Sequence, residues 1–235
     1  MMAHSRDISQ ASTELQDFIS TLDVDATGII SLDECQGTKL EESALKLLPT
    51  ARSVVVLTME IYAEILALTS TKRVMGAASM NELADSHADY LSGRLTRAAY
   101  DIAHASRKAG LKALTLPSRG CPTDARFLEA VLSYKHASQA AGLGYIGRSS
   151  LLITPEFGPR VRLAGCLTEA ILKSTTADHH NECESCNICI NNCPSGALAE
   201  PQHDELYVIN KFACQAFRRA SGGCSECMRL CPAGQ

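Results

Sequence analysis

Residues 183–194 read CESCNICINNCP, and residues 222–232 read GGCSECMRLCP. The first stretch is C-x2-C-x2-C-x3-C-P: Cys183, Cys186, Cys189 and Cys193 ahead of Pro194. Three cysteines at intervals of three wrap a short loop around one face of an iron–sulfur cubane, each thiolate taking one iron. The fourth cysteine ligates the other cluster of a pair. A second set is therefore expected, and Cys224, Cys227 and Cys231-Pro232 supply three of its members. Regular spacing would put a cysteine at 221, where Ser221 stands, and Cys214 is the available substitute. The crossover rule gives one cluster Cys183, Cys186, Cys189 and Cys231, and the other Cys193, Cys214, Cys224 and Cys227. Zinc sites use paired C-x2-C knuckles. They call for neither a third cysteine three residues on nor C-P after both sets. The spacing thus predicts two [4Fe–4S] clusters in a module spanning 182–235.

The rest of the composition narrows the context. The chain has 235 residues, 46% apolar and 20% charged, enough for an ordinary packed core. Twenty-two basic against 26 acidic residues leave no excess positive charge for a phosphate backbone. Trp is absent and aromatics make up 5%, so a base-stacking surface is poorly supplied. The most apolar stretch, Val54 to Leu68, is broken by Glu60 and Glu64, and no membrane span is expected. The start, MMAHSRDISQ, has neither an apolar signal core nor twin arginines, which points to the cytoplasm. There, clustered cysteines hold metal more often than disulfides. Cys35, Cys121 and Cys166 lack partners at ligand spacing and read as small core residues.

Periodicity divides the remainder into an N-terminal segment, 1–50, and a domain, 51–181. Residues 1–50 read as helical and polar, with a turn near Ala26-Thr27-Gly28. Ser53 to Thr58 (SVVVLT) is a β-branched run of strand length. Ala84, Ala88, Leu91, Leu95, Ala98, Ile102 and Ala105 line one face of a helix over 81–109, closed by Gly110. Leu111–Leu116 reads as a strand and 117–122 as a loop. Asp124 to Ala141 reads as a helix with Asp124 as N-cap. Ser150–Thr154 and Val161–Cys166 read as strands around a Pro155–Pro159 turn. The charge pairs Arg160/Arg162 and Arg218-Arg219 read as solvated or docking faces.

Between these strands lies AGLGYIGRSSLLITPEFGPRVRLAG, residues 141–165. Gly142, Gly144 and Gly147 spell G-x-G-x-x-G, but a dinucleotide fingerprint follows a strand and opens a helix. Here a helical pattern precedes the glycines and a strand pattern follows. A helix-ending turn, or close approach of backbone to a flat or phosphate-bearing ligand, are the other readings. This segment, followed by the two cysteine sets, resembles the cobalamin-dependent iron–sulfur reductases: epoxyqueuosine reductase and the reductive dehalogenases. The resemblance covers roughly residues 50–235.

The resemblance implies an α+β fold: a nitroreductase-like domain carrying cobalamin, followed by a small ferredoxin-like module. One cluster would reduce the corrinoid cobalt, and the other would take electrons from an external donor of ferredoxin or flavodoxin type. Lys135, His136, Gly142, Gly144, Gly147, Leu152 and Gly158 would line the cofactor. Tyr62 would donate a proton to the substrate, with Arg148 as the cation that favours its release. The aspartate that serves epoxyqueuosine reductase as proton donor falls near Leu128 here, and that role is vacant. The chain also stops four residues after Cys231, without the longer tRNA-binding region. A small-molecule substrate is therefore expected, and tRNA is not. The alternatives are a two-cluster ferredoxin-like electron carrier without corrinoid and a flavin or nicotinamide reductase using the glycine turn.

One prediction follows from the spacing alone. Cys189→Ser should lose about four of the about eight irons that two cubanes hold, and should loosen the tail, because ligation and folding are coupled. Metal analysis showing undiminished iron would refute the ligand assignment.

Overall fold

The structure is a computed structural model that describes all residues except 1, 70–76, 178, 180, 203–204 and 235; of residues 2–7 and 77–81 only the backbone is described. In chain order the elements are α1 (Met2–Ser20), β1 (Ala26–Ser31), α2 (Lys39–Leu47), β2 (Ser53–Glu60), α3 (Ala63–Leu68), α4 (Ala77–Lys108), β3 (Ala113–Leu116), β4 (Thr123–Asp124) and β5 (Glu129–Ala130). They continue with α5 (Tyr134–Ala140), β6 (Tyr145–Ile146), β7 (Leu152–Ile153), β8 (Val161–Thr168), α6 (Ile188–Asn191), β9 (Leu198–Ala199), β10 (Val208–Ile209), α7 (Lys211–Ala220) and α8 (Glu226–Arg229). Two compact units interleave along the sequence. The first comprises 1–59, 92–143 and 162–177, and the second 60–91, 144–161 and 178–235.

The first unit is built on a four-stranded sheet of order β1-β2-β8-β3, in which β1–β2 and β3–β8 pair antiparallel. Ser53 through Met59 of β2 are all buried, as a strand in the middle of a sheet covered on both faces requires. That burial is why its sequence is a continuous apolar run rather than an alternation. Val54, Val56 and Leu167 join Ile30, Leu32, Ala44, Leu116, Leu132 and Ala137 in one core cluster. Gly165 of β8 leaves room for the neighbouring strand, since a Cβ there would stand 2.7 Å from the Val55 carbonyl oxygen.

The long helix α4 buries Leu91, Leu95, Ala98 and Ile102, the stripe its periodicity marks. It ends as the sequence suggests. Gly110 has φ +78°, its N–H donates to the Arg107 carbonyl, and the Leu111 N–H donates to that of Ser106. These two bonds are those of a Schellman end.

Two readings need correction. Ala26–Ser31 is a strand, not a turn, in register with Thr58–Ser53. Gly28 is there for packing: a Cβ would lie 2.8 Å from the Ala141 Cβ and 2.7 Å from the Leu143 Cγ. The outer edge of β1 is closed by residues 171–177. The Ile29 and Ser31 N–H groups donate to the Thr175 and Ser174 hydroxyls at 2.8 and 2.9 Å. Edges sealed this way do not template pairing with another chain. Similarly, Asp124 caps no helix. Residues 123–130 form the β4–β5 hairpin, with Leu128 at φ +49°, and helix begins only at Tyr134. The Asp124 carboxylate turns instead to the Arg126 side chain (2.7 Å) and backbone N–H (2.9 Å), a local side-chain turn that competes with helix. Cys35 and Cys166 are buried as expected, whereas Cys121 is only half-buried.

The second unit contains α3, the first turns of α4, the β6–β7 hairpin, the 154–160 turn and the cysteine-rich tail. Within it α8 packs on both α3 and α6.

Candidate functional site

The tail of the second unit brings the eight clustered cysteines onto short elements. Cys183 and Cys186 flank a turn in which the Cys186 N–H donates to the Cys183 carbonyl at 3.1 Å. Cys189 lies on α6, Cys214 on α7 and Cys227 on α8. Cys193 follows α6 and Cys231 follows α8. All eight are half-buried and none is in a disulfide.

Their electrostatic neighbourhoods sort them. Burial pushes the Cys189 thiol up to about 11, reinforced by Cys183, Cys186 and Cys231. Burial likewise raises Cys231, with Cys183 and Cys186 adding to it while the Ala233 N–H and the Arg160 charge oppose. Cys227 is pushed up to about 12, by burial first, then by Cys224 and Cys214, with smaller effects from Cys189 and Cys193. Burial raises Cys224, opposed by the Glu226 N–H and assisted by the Glu226 carboxylate, Cys214 and Cys193. Cys193 differs. Burial would raise it, but hydrogen bonds from the Ser195 hydroxyl and the Leu198, Ala197 and Ser195 amides bring it below the ordinary thiol range. Thiols that burial and mutual repulsion keep protonated gain most when a metal takes up their charge.

Among the described residues, no three His, Cys, Asp or Glu side chains are gathered tightly enough to hold a single metal ion. A cubane makes a looser demand, because each thiolate sits on its own iron. Eight half-buried thiols outside any disulfide, several of them near enough to raise one another, fit that donor chemistry.

Neighbouring residues fasten the first cysteine loop. The Arg148 guanidinium donates to the Glu184 carbonyl at 2.6 Å and to the Asn187 side-chain oxygen. The Asn187 amide donates in turn to the Glu200 carboxylate. Arg148 is thus spoken for by the loop between the ligand cysteines. Tyr145 receives the Glu182 N–H on its phenolic oxygen at 3.3 Å. Burial, with Cys183 beside it, pushes that phenol up to about 12.

The glycines prove to be places where the chain meets itself. A Cβ on Gly142 would stand 2.3 Å from the Ala177 nitrogen, on Gly144 2.0 Å from the Ile153 oxygen, and on Gly158 2.0 Å from the Ala233 oxygen. On Gly147 it would lie 3.0 Å from the Cys183 sulfur, so this glycine makes room for a ligand cysteine. Leu152 is buried in the β6–β7 pairing opposite Ile146. These positions are filled by protein and do not by themselves form a cradle for a corrinoid. Lys135 and His136 sit on α5 in the first unit, with His136 Nδ1 2.7 Å from the Ser133 hydroxyl. Burial and then Lys135 lower the His136 pKa against the pull of Glu129.

Tyr62 caps α3 and is 52% exposed. Its ring lies against the His87 imidazole, centroids 4.6 Å apart, and its N–H donates to His87 Nε2 at 3.3 Å. Arg160, read as solvated, is in fact 7% exposed. It donates to the Gly234 carbonyl at 2.7 Å and faces Glu60 at 3.7 Å. Sequence reasoning missed both His87 and Arg160, for neither stands in a spaced motif.

No family model matches the chain. Curated relatives do, two of them as follows. An epoxyqueuosine reductase of Gloeobacter violaceus is 30% identical over 131 residues, covering 48% of this chain and 39% of the relative. A tetrachloroethene reductive dehalogenase of Sulfurospirillum multivorans is 35% identical over 108 residues, covering 39% and 22%. The match thus spans well under half the length of either relative. Among solved structures, an epoxyqueuosine reductase with an epoxyqueuosine-modified tRNA stem loop superposes with TM-score 0.58 at 17% identity, over 97% of this chain and 66% of that one. A reductive dehalogenase described with a B12-dependent mechanism gives TM-score 0.63 at 19% identity, over 91% and 30%. The chain therefore resembles these two groups of oxidoreductases and has their mixed α/β fold. The expectation that tRNA is no partner is overturned by the first of these neighbours, which holds a tRNA stem loop. Net charge was a poor guide, because a phosphate-binding face is set by local charge and not by the total. No helix among the described residues is long and apolar enough to cross a membrane.

The glycine contacts make a testable contrast. Gly158 and Gly196 have similar φ, +56° and +60°, but only Gly158 is crowded. Gly196→Ala should cost the about 1–2 kcal/mol of a left-handed residue. Gly158→Ala should cost a further ~1–3 kcal/mol of overpacking. Equal shifts in chemical denaturation would show that the Ala233 contact yields freely.

Proposed function

We propose that this chain is a cytoplasmic reductase that carries electrons through two [4Fe–4S] clusters to the reductive cleavage of a C–O or C–halogen bond, with a corrinoid as its second cofactor. In this reading a nitroreductase-like domain, 51–181, precedes the ferredoxin-like module, 182–235. The observations that carry it are the two cysteine sets at ferredoxin spacing, all eight half-buried, outside any disulfide and borne on short elements of one unit. The electron-carrier alternative is not favoured, since the likeness to the two reductases runs over 91–97% of the chain and not over the cysteine module alone.

Reductive cleavage of a carbon–halogen bond consumes two electrons and one proton: the bond breaks, hydrogen takes the halogen's place, and halide leaves with the bonding pair. Removing an epoxide oxygen consumes two electrons and two protons and leaves an alkene and water. Clusters that each pass one electron at a time suit this demand when two stand in series. A bound corrinoid would supply a metal-centred nucleophile for the cleavage. The proton is assigned to Tyr62, whose exposed phenol is held in place by its contact with His87. Arg148 takes a different part from the one its place after the glycines suggests: it orders the loop carrying Cys183, Cys186 and Cys189. The substrate class includes an epoxide borne on tRNA, in keeping with the stem loop of the fold neighbour.

Anaerobic reconstitution with iron, sulfide and hydroxocobalamin, followed by desalting and metal analysis, tests the proposal. About eight irons and one cobalt per chain are expected; eight irons without cobalt would return the chain to the electron carriers. Tyr62→Phe should keep both metals and slow turnover of tetrachloroethene or an epoxyqueuosine-modified stem loop by about 10²–10⁴-fold, the usual worth of a general acid. Undiminished turnover would place the proton on another group.

A further inference from the structure

Arg160 is a buried cation in a chain whose other acid–base pairs are mostly exposed. It ends the turn that begins at Thr154, where Thr154 and Gly158 exchange two backbone hydrogen bonds of 2.9 Å. This turn interlocks with the tail that follows Cys231. A Cβ on Gly158 would reach 2.0 Å from the Ala233 oxygen, and one on Gly234 would reach 2.2 Å from the Gly158 nitrogen. Arg160 closes the interlock by donating from Nη2 to the Gly234 carbonyl at 2.7 Å. Its Nη2 also stands 3.7 Å from the Glu60 carboxylate, whose side chain keeps 27% of its exposure. The Nε atom is buried with no hydrogen-bond partner. Gly234 lies three residues beyond Cys231, so the guanidinium that holds its carbonyl anchors the segment carrying that cysteine. The second neighbourhood is built differently. There Glu226, between Cys224 and Cys227 in sequence, is buried and ion-paired with Arg229 at 2.5 Å.

We propose that Arg160 is a positioning residue for the cluster held by Cys183, Cys186, Cys189 and Cys231: it docks Cys231, and its buried charge raises that cluster's midpoint potential. The inference rests on the two-cluster reading. Reduction adds one electron to a cluster, and a fixed positive charge in a weakly screened interior stabilises the added charge more than it would in water. Charge and hydrogen bonding around the sulfurs are levers by which a protein sets such potentials. Glu60 offsets part of the effect from a more solvated position, where screening is stronger. The second cluster has a carboxylate and a guanidinium side by side, whose fields largely cancel.

The test is an EPR-monitored redox titration of the full chain reconstituted with iron and sulfide. Arg160→Gln should move one of two midpoints to more negative potential, the one that disappears in Cys189→Ser, and leave the other in place. Arg160→Lys should recover most of the shift. Glu60→Gln keeps Arg160 and its bond to Gly234, and should move the same midpoint the opposite way. Unmoved midpoints in Arg160→Gln and Glu60→Gln, each with a full iron complement, overturn the proposal, as do equal shifts of both. If Arg160→Gln sheds its cluster, Glu60→Gln decides: a positive shift sustains the proposal and none overturns it. A wild-type chain that takes up no iron overturns this inference together with the cluster reading. Full iron with unmoved midpoints overturns this inference alone.

Discussion

The contact between the 154–160 turn and the chain end is one of backbone on backbone. Gly158 and Gly234 meet at distances that exclude any side chain, and the buried guanidinium of Arg160 locks the pair through the Gly234 carbonyl. Everything that gathers the first set of thiols depends on this approach. Cys183, Cys186 and Cys189 are local to one loop and would find one another in any compact state. Cys231 comes from a different part of the chain, and only the docking of its tail sets it beside them. The same physics recurs at Gly147, where a missing Cβ admits the sulfur of Cys183. Glycine here acts through what it omits, letting ligand-bearing segments approach closely without a ligand of their own.

The cost of assembling such a site explains its surroundings. Half-buried thiols near one another resist ionisation, and the raised values at Cys189 and Cys227 measure that resistance. The protein answers with fixed donors: amides and a hydroxyl at Cys193, and an amide at Cys231. The loop itself is restrained by the run Arg148–Asn187–Glu200. Part of the tail is thus held by fixed hydrogen bonds, and part consists of thiols whose burial favours the protonated form.

What the sequence discloses and conceals follows range in the chain. Ligand spacing is a local property, so the gathering of the eight cysteines in one tail was legible. So were β2 and β8, whose runs of apolar residues suit strands covered on both faces, and the end of α4 at Gly110. β1 was misread because Gly28 resembles a turn residue, whereas it is required by α5 crossing over it. The stretch from Asp124 was misread because its apolar positions fit a helix while Asp124 and Arg126 stabilise a hairpin. The glycines of 142–158 were aimed at a cofactor, although their partners lie elsewhere in the chain. Arg160 reads by its charge as part of a solvated or docking face, and nothing local signals that the tail returns to cover it. Each miss is a contact between residues far apart in sequence.

The seal on the edge of β1 carries a consequence for how the chain is made. The hydroxyls of Ser174 and Thr175 cap N–H groups of a strand synthesised long before them, 146 residues earlier for the bond to Ile29. At about 5–20 residues per second, that interval on the ribosome is on the order of 7–30 s. Throughout it, the backbone of β1 faces outward with those positions open, on a chain already capable of forming its β1–β2 hairpin. The growing polypeptide therefore passes through a stage at which an unpaired strand edge is offered to its surroundings. The segment that ends this exposure is the last to be made before the cysteine module begins. Protection of the nascent edge and the arrival of the cysteine-rich tail are thereby ordered in time by the order of the sequence itself.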